Sequence, residues 1–254
     1  MTLTQGHFAG VIKIVRFNVQ FYALSVLSLL LAICLVGSRW MPPWLELVIL
    51  CGAAVVAYWT LSSLFASWYV YDHVGVTRWQ WLRSQLPAPP CRWANIHAGL
   101  DESTSALRQL FPQAEGSVID IYDAEEMTEP SIARARRMQP SAEPFKVGKH
   151  DFLPLSDNEC DAVFILFAAH EIRIAEHQTE LLRETARVLR ERGRVVLVEH
   201  LRDWKNFLAF GPGFLHFYSK RHWLRSIRDA GFCVEQESHA TPLVQCFVLR
   251  KADR

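Results

Sequence analysis

The sequence predicts an open, doubly wound α/β sheet of seven mostly parallel strands, preceded by a hairpin of two transmembrane helices. Long uncharged apolar runs are confined to the first 71 residues. Beyond residue 92, short apolar runs alternate with amphipathic ones, which is typical of a parallel sheet wrapped by helices. The run "DAVFILFAAHEI" is almost continuously apolar, as expected of a central strand buried on both faces.

Two apolar runs predict the membrane anchor. Residues 21–36 read "FYALSVLSLLLAICLV" without a charge, and residues 44–71 carry Glu46 as their only charge. A membrane span needs about 20 apolar residues, and both runs, the first extended to Met41, reach that length. A secretory signal would offer one shorter run and a cleavage site. A pair of buried core helices is the remaining alternative.

The distribution of cations predicts the orientation of the hairpin. Lys13 and Arg16 precede the first run, Arg78 and Arg83 follow the second, and the short loop "GSRWMPP" holds only Arg39. Cytoplasmic segments carry the excess of Lys and Arg, so both ends are expected in the cytoplasm. We therefore predict an inner-membrane protein with a cytoplasmic N-terminal segment (1–20), a two-span anchor (21–71), a linker with an entry helix (72–93) and a cytoplasmic α/β domain (94–254).

The strands and helices of the predicted domain follow one another in a regular order. Pro130 falls in the first turns of the second helix, where proline is tolerated. Gly193 and Gly231 are natural stops for the third and fourth helices. The last two strands flank Pro242 and form an antiparallel hairpin at one sheet edge. The strands are "ANIHAGL", "GSVIDIYD", "FKVGKHD", "DAVFILFAAHEI", "RVVLVEHL", "CVEQESHAT" and "LVQCFVLRK", and the helices are "TSALRQLF", "EMTEPSIARARRM", "EHQTELLRETARVLRERG" and "SKRHWLRSIRDAGF".

Charge and cysteine usage exclude several classes of protein. The 27 basic side chains balance 26 acidic ones, so net charge gives no reason to expect a nucleic acid partner. The six cysteines are scattered and form no CxxC pair. This usage indicates a reducing compartment and argues against a disulfide framework or a cysteine zinc site.

The second half of the domain resembles a known family. The stretch "DFLPLSDNECDAVFILFAAHEI…LLRETARVLRERGRVVLVEHLRD" looks like the C-terminal half of a class I S-adenosylmethionine-dependent methyltransferase. The resemblance covers roughly residues 94–250. Together with the hairpin and "IHAGLDES", it is similar to a group of bacterial membrane-anchored methyltransferases.

The resemblance implies a cofactor loop after the first strand. The family's first glycine, which lets the backbone approach S-adenosylmethionine closely, falls on Gly99. Its leading acid falls on His97, and its later glycines fall on Asp101 and Ser103. We expect His97, Gly99 and Asp101 to bind the cofactor. An ordinary strand-to-helix loop with Ser103 as the helix N-cap is the alternative.

Further cofactor contacts follow from the resemblance. The acidic residue that binds the ribose hydroxyls matches Asp120, with Asp123 as a close rival. The carboxylate and apolar ring that meet the adenine match Asp151 and Phe152.

Two His–Glu pairs, "AAHEIR" and "VEHLRD", end neighbouring strands where ligands of open α/β sheets bind. Imidazole can take the proton of a phenol or hydroxyl, and a carboxylate orients it. We predict His170 as the base with Glu171 in support, and Glu199 and His200 as substrate contacts. Since neighbours on a strand face opposite sides, we expect one member of each pair in the site. A divalent metal on this set is an alternative, but no short metal-binding spacing supports it and we predict no metal residue.

Two further side chains complete the expected site. His216 and Tyr218 follow the fifth strand closely enough to fold over it. The apolar stretch "NFLAFGPGFLHF" before them is predicted to be a substrate lid or entrance.

Together these features predict a membrane-anchored methyltransferase that acts on a lipid-soluble small molecule such as a quinone, an isoprenoid or a lipid headgroup. Two alternatives remain open: an enzyme of this fold that uses the cofactor for another reaction, and a non-catalytic, membrane-tethered binding protein. The oligomeric state is not predicted.

Overall fold

A computed structural model describes residues 7–38, 40–141 and 143–253 of the chain. Arg39 of the predicted hairpin loop and residues 1–6 lie outside the described residues. The chain forms two compact units. The helical unit holds the described residues up to Gly75 together with Trp204–Phe214, and the sheet unit holds Val76–Asp203 and Leu215 onward.

The helical unit contains the two predicted spans. Helix α1 covers Ala9–Phe17, α2 covers Val19–Gly37 and α3 covers Pro43–Ser67, followed by a π-helical turn at Trp68–His73. By length and composition, α2 and the helix that begins at Pro43 are able to cross a membrane. None of the residues of α2 is buried, and both helices are apolar all round, which is typical of helices that face lipid.

A segment from the far end of the chain belongs to the helical unit. Helix α7 covers Trp204–Phe210 and continues into a 3₁₀ turn at Gly211–His216. The ring of Phe207 lies 5.4 Å from that of Trp59 on α3, and Ser62 Oγ donates to the carbonyl of Leu208 at 2.9 Å. This packing incorporates most of the predicted lid into the same unit as the two candidate spans.

The sheet unit has the predicted topology. Its strand order is β3-β2-β1-β4-β5-β7-β6, in which β1 to β5 are parallel and β7 is antiparallel to both of its neighbours. Two 3₁₀ turns, Val76–Arg78 and Gln80–Gln85, precede the sheet. The strands are β1 (Arg92–His97), β2 (Glu115–Asp120), β3 (Lys146–Val147), β4 (Cys160–Leu166), β5 (Leu189–His200), β6 (Phe232–Thr241) and β7 (Val244–Lys251), and the helices are α4 (Thr104–Leu110), α5 (Pro130–Met138), α6 (Ala175–Val188) and α8 (Lys220–Asp229).

The order of the strands positions the site. Strand order reverses between β1 and β4, and ligands of open α/β sheets bind at the carboxyl ends of strands beside such a switch point. The carboxyl end of β1 at His97 pairs in register with that of β2 at Asp120. Strand β4 is almost fully buried, as its apolar sequence predicts.

The end of α6 differs from the prediction. The helix ends at Val188, and Gly193, expected as its stop, lies inside β5. Leu189 already has an extended backbone and pairs with Cys160, so the strand begins five residues early. A Cβ on Gly193 would lie 2.9 Å from the carbonyl oxygen of Asp161, so close packing between strands requires the glycine.

Gly116 on β2 gives a test of the packing in the sheet. A Cβ at this position would lie 2.1 Å from the ring of Trp93, which is fully buried. We expect Gly116→Ala to lower the free energy of unfolding by about 1–3 kcal/mol, because the ring has no room to move. Denaturant unfolding of the full chain in detergent measures this, with Ser117→Ala on the same strand as the control. Equal stability of the two variants would contradict the packing.

Candidate active site

Glu199 organises the turn that follows β4. Its carboxylate is fully buried near the end of β5. Oε1 accepts hydrogen bonds from the backbone nitrogens of Ala169 at 3.0 Å and His170 at 3.3 Å, and Oε2 lies 2.5 Å from His170 Nδ1. One carboxylate therefore fixes both the backbone of the turn and the orientation of the imidazole ring.

The other ring nitrogen of His170 faces two further groups. Nε2 lies 3.4 Å from Glu171 Oε1, and the same oxygen lies 3.7 Å from His216 Nε2. Both members of the first His–Glu pair thus lie in the site, and the expectation that only one would do so is wrong. The reason is that Ala169–Glu171 forms a 3₁₀ turn, in which neighbours do not alternate as on a strand.

The carboxylates determine the protonation of His170. Burial alone lowers the pKa of His170, but the charges of Glu199 and Glu171 outweigh it and raise the pKa to about 10. Burial raises the pKa of Glu171, but hydrogen bonds from His170 and His216 outweigh it and hold that pKa far below its usual value. At neutral pH the centre therefore contains an imidazolium between two carboxylates.

Arg173 completes this centre, and the sequence analysis did not identify it. Its guanidinium donates to the carbonyl oxygens of His216 at 2.8 Å and His170 at 3.2 Å, and lies 3.3 Å from His216 Nδ1. Glu129 Oε1 lies 3.4 Å from the same nitrogen. Arginine two residues after a His–Glu pair is the local signal that could have identified it.

Two predicted substrate contacts have other partners. His200 Nδ1 is 2.9 Å from the carbonyl of Leu243, and its ring stacks between those of Phe167 and Phe217. The hydroxyl of Tyr218 donates to the carbonyl of Arg173 at 3.0 Å. Both side chains support the turns around the centre, while Glu199 and His216 lie in it.

The side chains of the His170 centre also bear on the alternative that a divalent metal binds there. Ligand atoms of His170, Glu171 and His216 lie within 4.8 Å of one another. However, the guanidinium of Arg173 already brings a positive charge to His216, and the charge of His170 compensates that of Glu199. These cations favour proton chemistry over metal binding at this centre.

The expected cofactor edge lies at the ends of β1 and β2. His97 is buried, and neither of its ring nitrogens makes a hydrogen bond. Burial lowers the pKa of His97 despite the nearby charge of Asp120, whose Oδ1 lies 3.7 Å from Nδ1. A neutral imidazole with unused polar atoms is able to meet a ligand at this edge.

At Gly99 the side chains of Tyr122 and Arg136 lie close to the backbone of this edge. Its φ is +88°, and a Cβ would lie 3.0 Å from the ring of Tyr122 and 3.2 Å from Arg136. The Arg136 guanidinium pairs with Asp120 and lies over the Tyr122 ring, 4.8 Å from its centroid. Arg136 thus binds the carboxylate that the family resemblance assigns to the ribose.

Asp101 caps helix α4. Its Oδ1 accepts from the backbone nitrogens of Ser103 at 3.1 Å and Thr104 at 3.0 Å. Fully buried Asn95 binds this same oxygen and the hydroxyls of both residues. Ser103 occupies the N-cap position, as the alternative expects, but its hydroxyl makes no capping hydrogen bond and instead accepts from Asn95. We therefore assign Asp101 to the helix cap. Its contact with the cofactor stays a prediction.

The predicted adenine pair lies on the loop after β3. Asp151 is exposed, and the ring of Phe152 is 59% exposed. An apolar ring this open lacks a packing partner, as expected of a side chain that stacks on a bound base. Asp123, the other candidate for binding the ribose, accepts a hydrogen bond from the backbone nitrogen of Glu125 at 2.9 Å.

Comparisons with known proteins agree with the fold of the sheet unit. Residues 98–197 match the methyltransferase domain family. A S-adenosylmethionine-dependent methyltransferase from Aquifex aeolicus is 17% identical over 68% of this chain and 88% of its own, with a TM-score of 0.51. Mitomycin 7-O-methyltransferase MmcR is 14% identical over 98% of this chain and 74% of its own, with a TM-score of 0.56. Human N-acetylserotonin methyltransferase, solved with S-adenosylmethionine, is 16% identical over 73% of this chain and 55% of its own, with a TM-score of 0.51. No curated protein matches the sequence.

The sheet unit has the fold of class I S-adenosylmethionine-dependent methyltransferases, and residues 98–197 within it match the methyltransferase domain family. Both findings agree with the family resemblance seen in the sequence, and S-adenosylmethionine is the cofactor that this resemblance implies.

The cap on α4 gives a second test. We expect Asp101→Ala to lower the free energy of unfolding by about 1 kcal/mol, because two helix nitrogens lose their acceptor. Thermal unfolding of the full chain measures this, with Glu102→Ala as the neighbouring control. No loss of stability, together with a loss of S-adenosylmethionine affinity by calorimetry, would instead assign Asp101 to the cofactor.

Proposed function

We propose that this protein is a membrane-anchored O-methyltransferase that acts on an acidic hydroxyl of a lipid-soluble small molecule, such as a quinol or a prenylated phenol. The observation that carries the proposal is the buried Glu199–His170 pair at the carboxyl edge of β4 and β5. It is an imidazole held in one orientation beside the edge where class I methyltransferases bind their cofactor, and it acts as a base once it has lost its proton.

The residues that end or follow β1, β2 and β3 fit S-adenosylmethionine. His97 has buried ring nitrogens without hydrogen bonds, Gly99 leaves no room for a side chain, and Phe152 offers an uncovered ring. We assign these three residues, with Asp120 and Asp151, to cofactor binding. When bound, the cofactor supplies an electrophilic methyl group for in-line transfer.

The protonation of His170 favours a phenolic acceptor. A phenol ionises near pH ~10, and the pKa of His170 is raised to about 10. Proton transfer between the two groups is therefore nearly balanced, whereas an aliphatic alcohol is far too weak an acid. Glu199 holds Nδ1 so that Nε2 faces the substrate, and Glu171 and His216 border the same position.

The composition of the helical unit supports the proposal that the substrate is lipid-soluble. The segment between β5 and His216 packs on α3 within that unit and displays Trp204 and Leu208 on its surface. The chain that leaves the active edge therefore passes through the unit that holds the spans before it returns. An anchor in the cytoplasmic membrane, with the sheet unit on the cytoplasmic side, would present the site to substrates dissolved in lipid.

The pH dependence of methyl transfer tests the catalytic assignment. Since the active form has lost one proton from His170 or the substrate, kcat/KM should rise with pH up to about 10. Glu199→Gln removes a charge that raises the pKa of His170, so the rising limb should move to lower pH while the rate falls. His170→Gln should lower kcat by about 10²–10⁴-fold.

The assay measures radiolabelled methyl transfer from S-adenosylmethionine to a prenylated phenol and to an extract of the native membrane. The exposed His239 provides the control variant His239→Gln. If Glu199→Gln left the pH profile unchanged, the assignment of His170 as the base would be contradicted. Failure to bind S-adenosylmethionine by calorimetry would favour a non-catalytic binding protein, and cofactor turnover without a methylated product would favour a different reaction.

Membrane association is tested by extraction. We expect the full chain to stay in the membrane pellet after treatment with alkaline carbonate, because α2 and α3 expose apolar surface all round. Immunoblots of pellet and supernatant measure this, with a peripheral membrane protein as the control. A soluble oligomer obtained without detergent would show that copies of the chain, not lipid, cover these helices.

A further inference from the structure

The 3₁₀ turn Ala169–Glu171 of the active centre needs partners for its backbone groups outside the sheet and the helices. On one side, the carboxylate of Glu199 accepts hydrogen bonds from two of its nitrogens. On the other side, the side chain of Gln178 donates to the carbonyl oxygens of Ala169 at 3.3 Å and Ile172 at 2.7 Å. A single amide therefore joins the start of the turn to the residue that follows it.

The chemistry of this contact requires an amide. Gln178 lies near the start of α6, and its residue is only 1% exposed. Its primary amide carries two N–H groups, one for each carbonyl, whereas a carboxylate or a thioether has none to donate. Because carbonyl oxygens only accept, the amide nitrogen must face the turn and the amide oxygen must face away from it.

His222 on α8 fixes the orientation of that amide. Its Nε2 is hydrogen-bonded to Gln178 Oε1. An amide oxygen only accepts, so this ring nitrogen must carry a proton. Burial and the charges of Arg202 and Arg225 lower the pKa of His222, so the ring is neutral at neutral pH and its single N–H lies on Nε2. The contact therefore orients Gln178 without bringing a charge to the turn.

Tyr218 supports both His222 and the end of the segment that carries the turn. Its ring stacks on that of His222, with centroids 4.5 Å apart. Its hydroxyl donates to the carbonyl oxygen of Arg173 at 3.0 Å. Glu199 thus holds the turn from β5, while Gln178 and His222 hold it from α6 and α8.

We propose that Gln178 is a positioning residue that holds the turn so that His170 stays in contact with Glu199. His222 orients Gln178 for this role. Because Glu199 is fixed within β5 by the sheet, the distance of 2.5 Å from its Oε2 to His170 Nδ1 is kept only while the turn stays in place. The consequence for methyl transfer rests on the proposed function, whereas the consequence for the protonation of His170 does not.

Titration of the histidine rings by ¹⁵N NMR, on the full chain in detergent micelles, tests the proposal. Gln178→Met keeps nearly the same size and adds no charge, but it removes both N–H donors. We expect the pKa of His170 to fall from about 10 by about one unit, because the ring then spends part of the time away from Glu199. The kcat of methyl transfer should fall by about 10–100-fold. The affinity for S-adenosylmethionine by calorimetry should stay unchanged, because Gln178 contacts neither the loop after β1 nor the end of β2.

His222 provides a second pair of variants that leaves both donors of Gln178 in place. His222→Leu removes the N–H that orients the amide, so the pKa of His170 should fall in the same direction by a smaller amount. His222→Gln retains an N–H donor and should restore the wild-type titration. Gln113→Met and His239→Leu, at exposed positions, are the matched controls and should leave the titration unchanged. Circular dichroism confirms that each variant is folded, and the His222 pair decides if Gln178→Met does not fold.

Three results would overturn the proposal. The first is a His170 titration that Gln178→Met leaves unchanged, and the second is an equal shift in His222→Leu and His222→Gln. The third is a loss of cofactor affinity in Gln178→Met as large as its loss of kcat. Failure of the wild-type chain to bind S-adenosylmethionine would contradict the proposed function alone, because the titrations still decide whether Gln178 positions His170.

Discussion

Three hydrogen-bond donors converge on the buried carboxylate of Glu199: two backbone nitrogens of the turn after β4 and the Nδ1 of His170. A carboxylate in a fully buried position is stable only when it is compensated, and these donors provide that compensation. The same contacts hold the turn that places Glu171 and Arg173 beside His216. The orientation of the candidate base, its raised pKa and the shape of the active edge therefore all depend on one side chain.

The connection between β5 and α8 belongs partly to the sheet unit and partly to the helical unit. In the sheet unit this connection begins after His200 and ends at His216, but most of it packs on α3 in the helical unit. The residues around Trp59 and Phe207 thus belong to a unit whose surface is otherwise apolar and exposed.

Much of the fold could be predicted from the sequence, because the periodicity of apolar residues and the composition of each segment are local signals. The alternation of strands and helices gave the topology, and the edge hairpin followed from Pro242 and its flanking apolar runs. The start of β5 at Leu189 could not be predicted, because pairing with Cys160 outweighs local helix propensity. In the site, His170 and Glu199 were recognised as chemical groups, but their pairing depends on a 3₁₀ turn. The Asp101 cap depends on buried Asn95, which lies on another element of the fold.

The protonation of His170 is the most direct test of this account. Selective ¹⁵N labelling of histidine in the full chain, with His170→Gln to assign the signal, allows its ring nitrogens to be followed by NMR across the pH range. The account predicts that both ring nitrogens stay protonated through neutral pH and that the ring titrates near pH 10. A His170 ring that titrates near pH ~6.5, the ordinary value for histidine, would contradict it, because Glu199 would then not control the base.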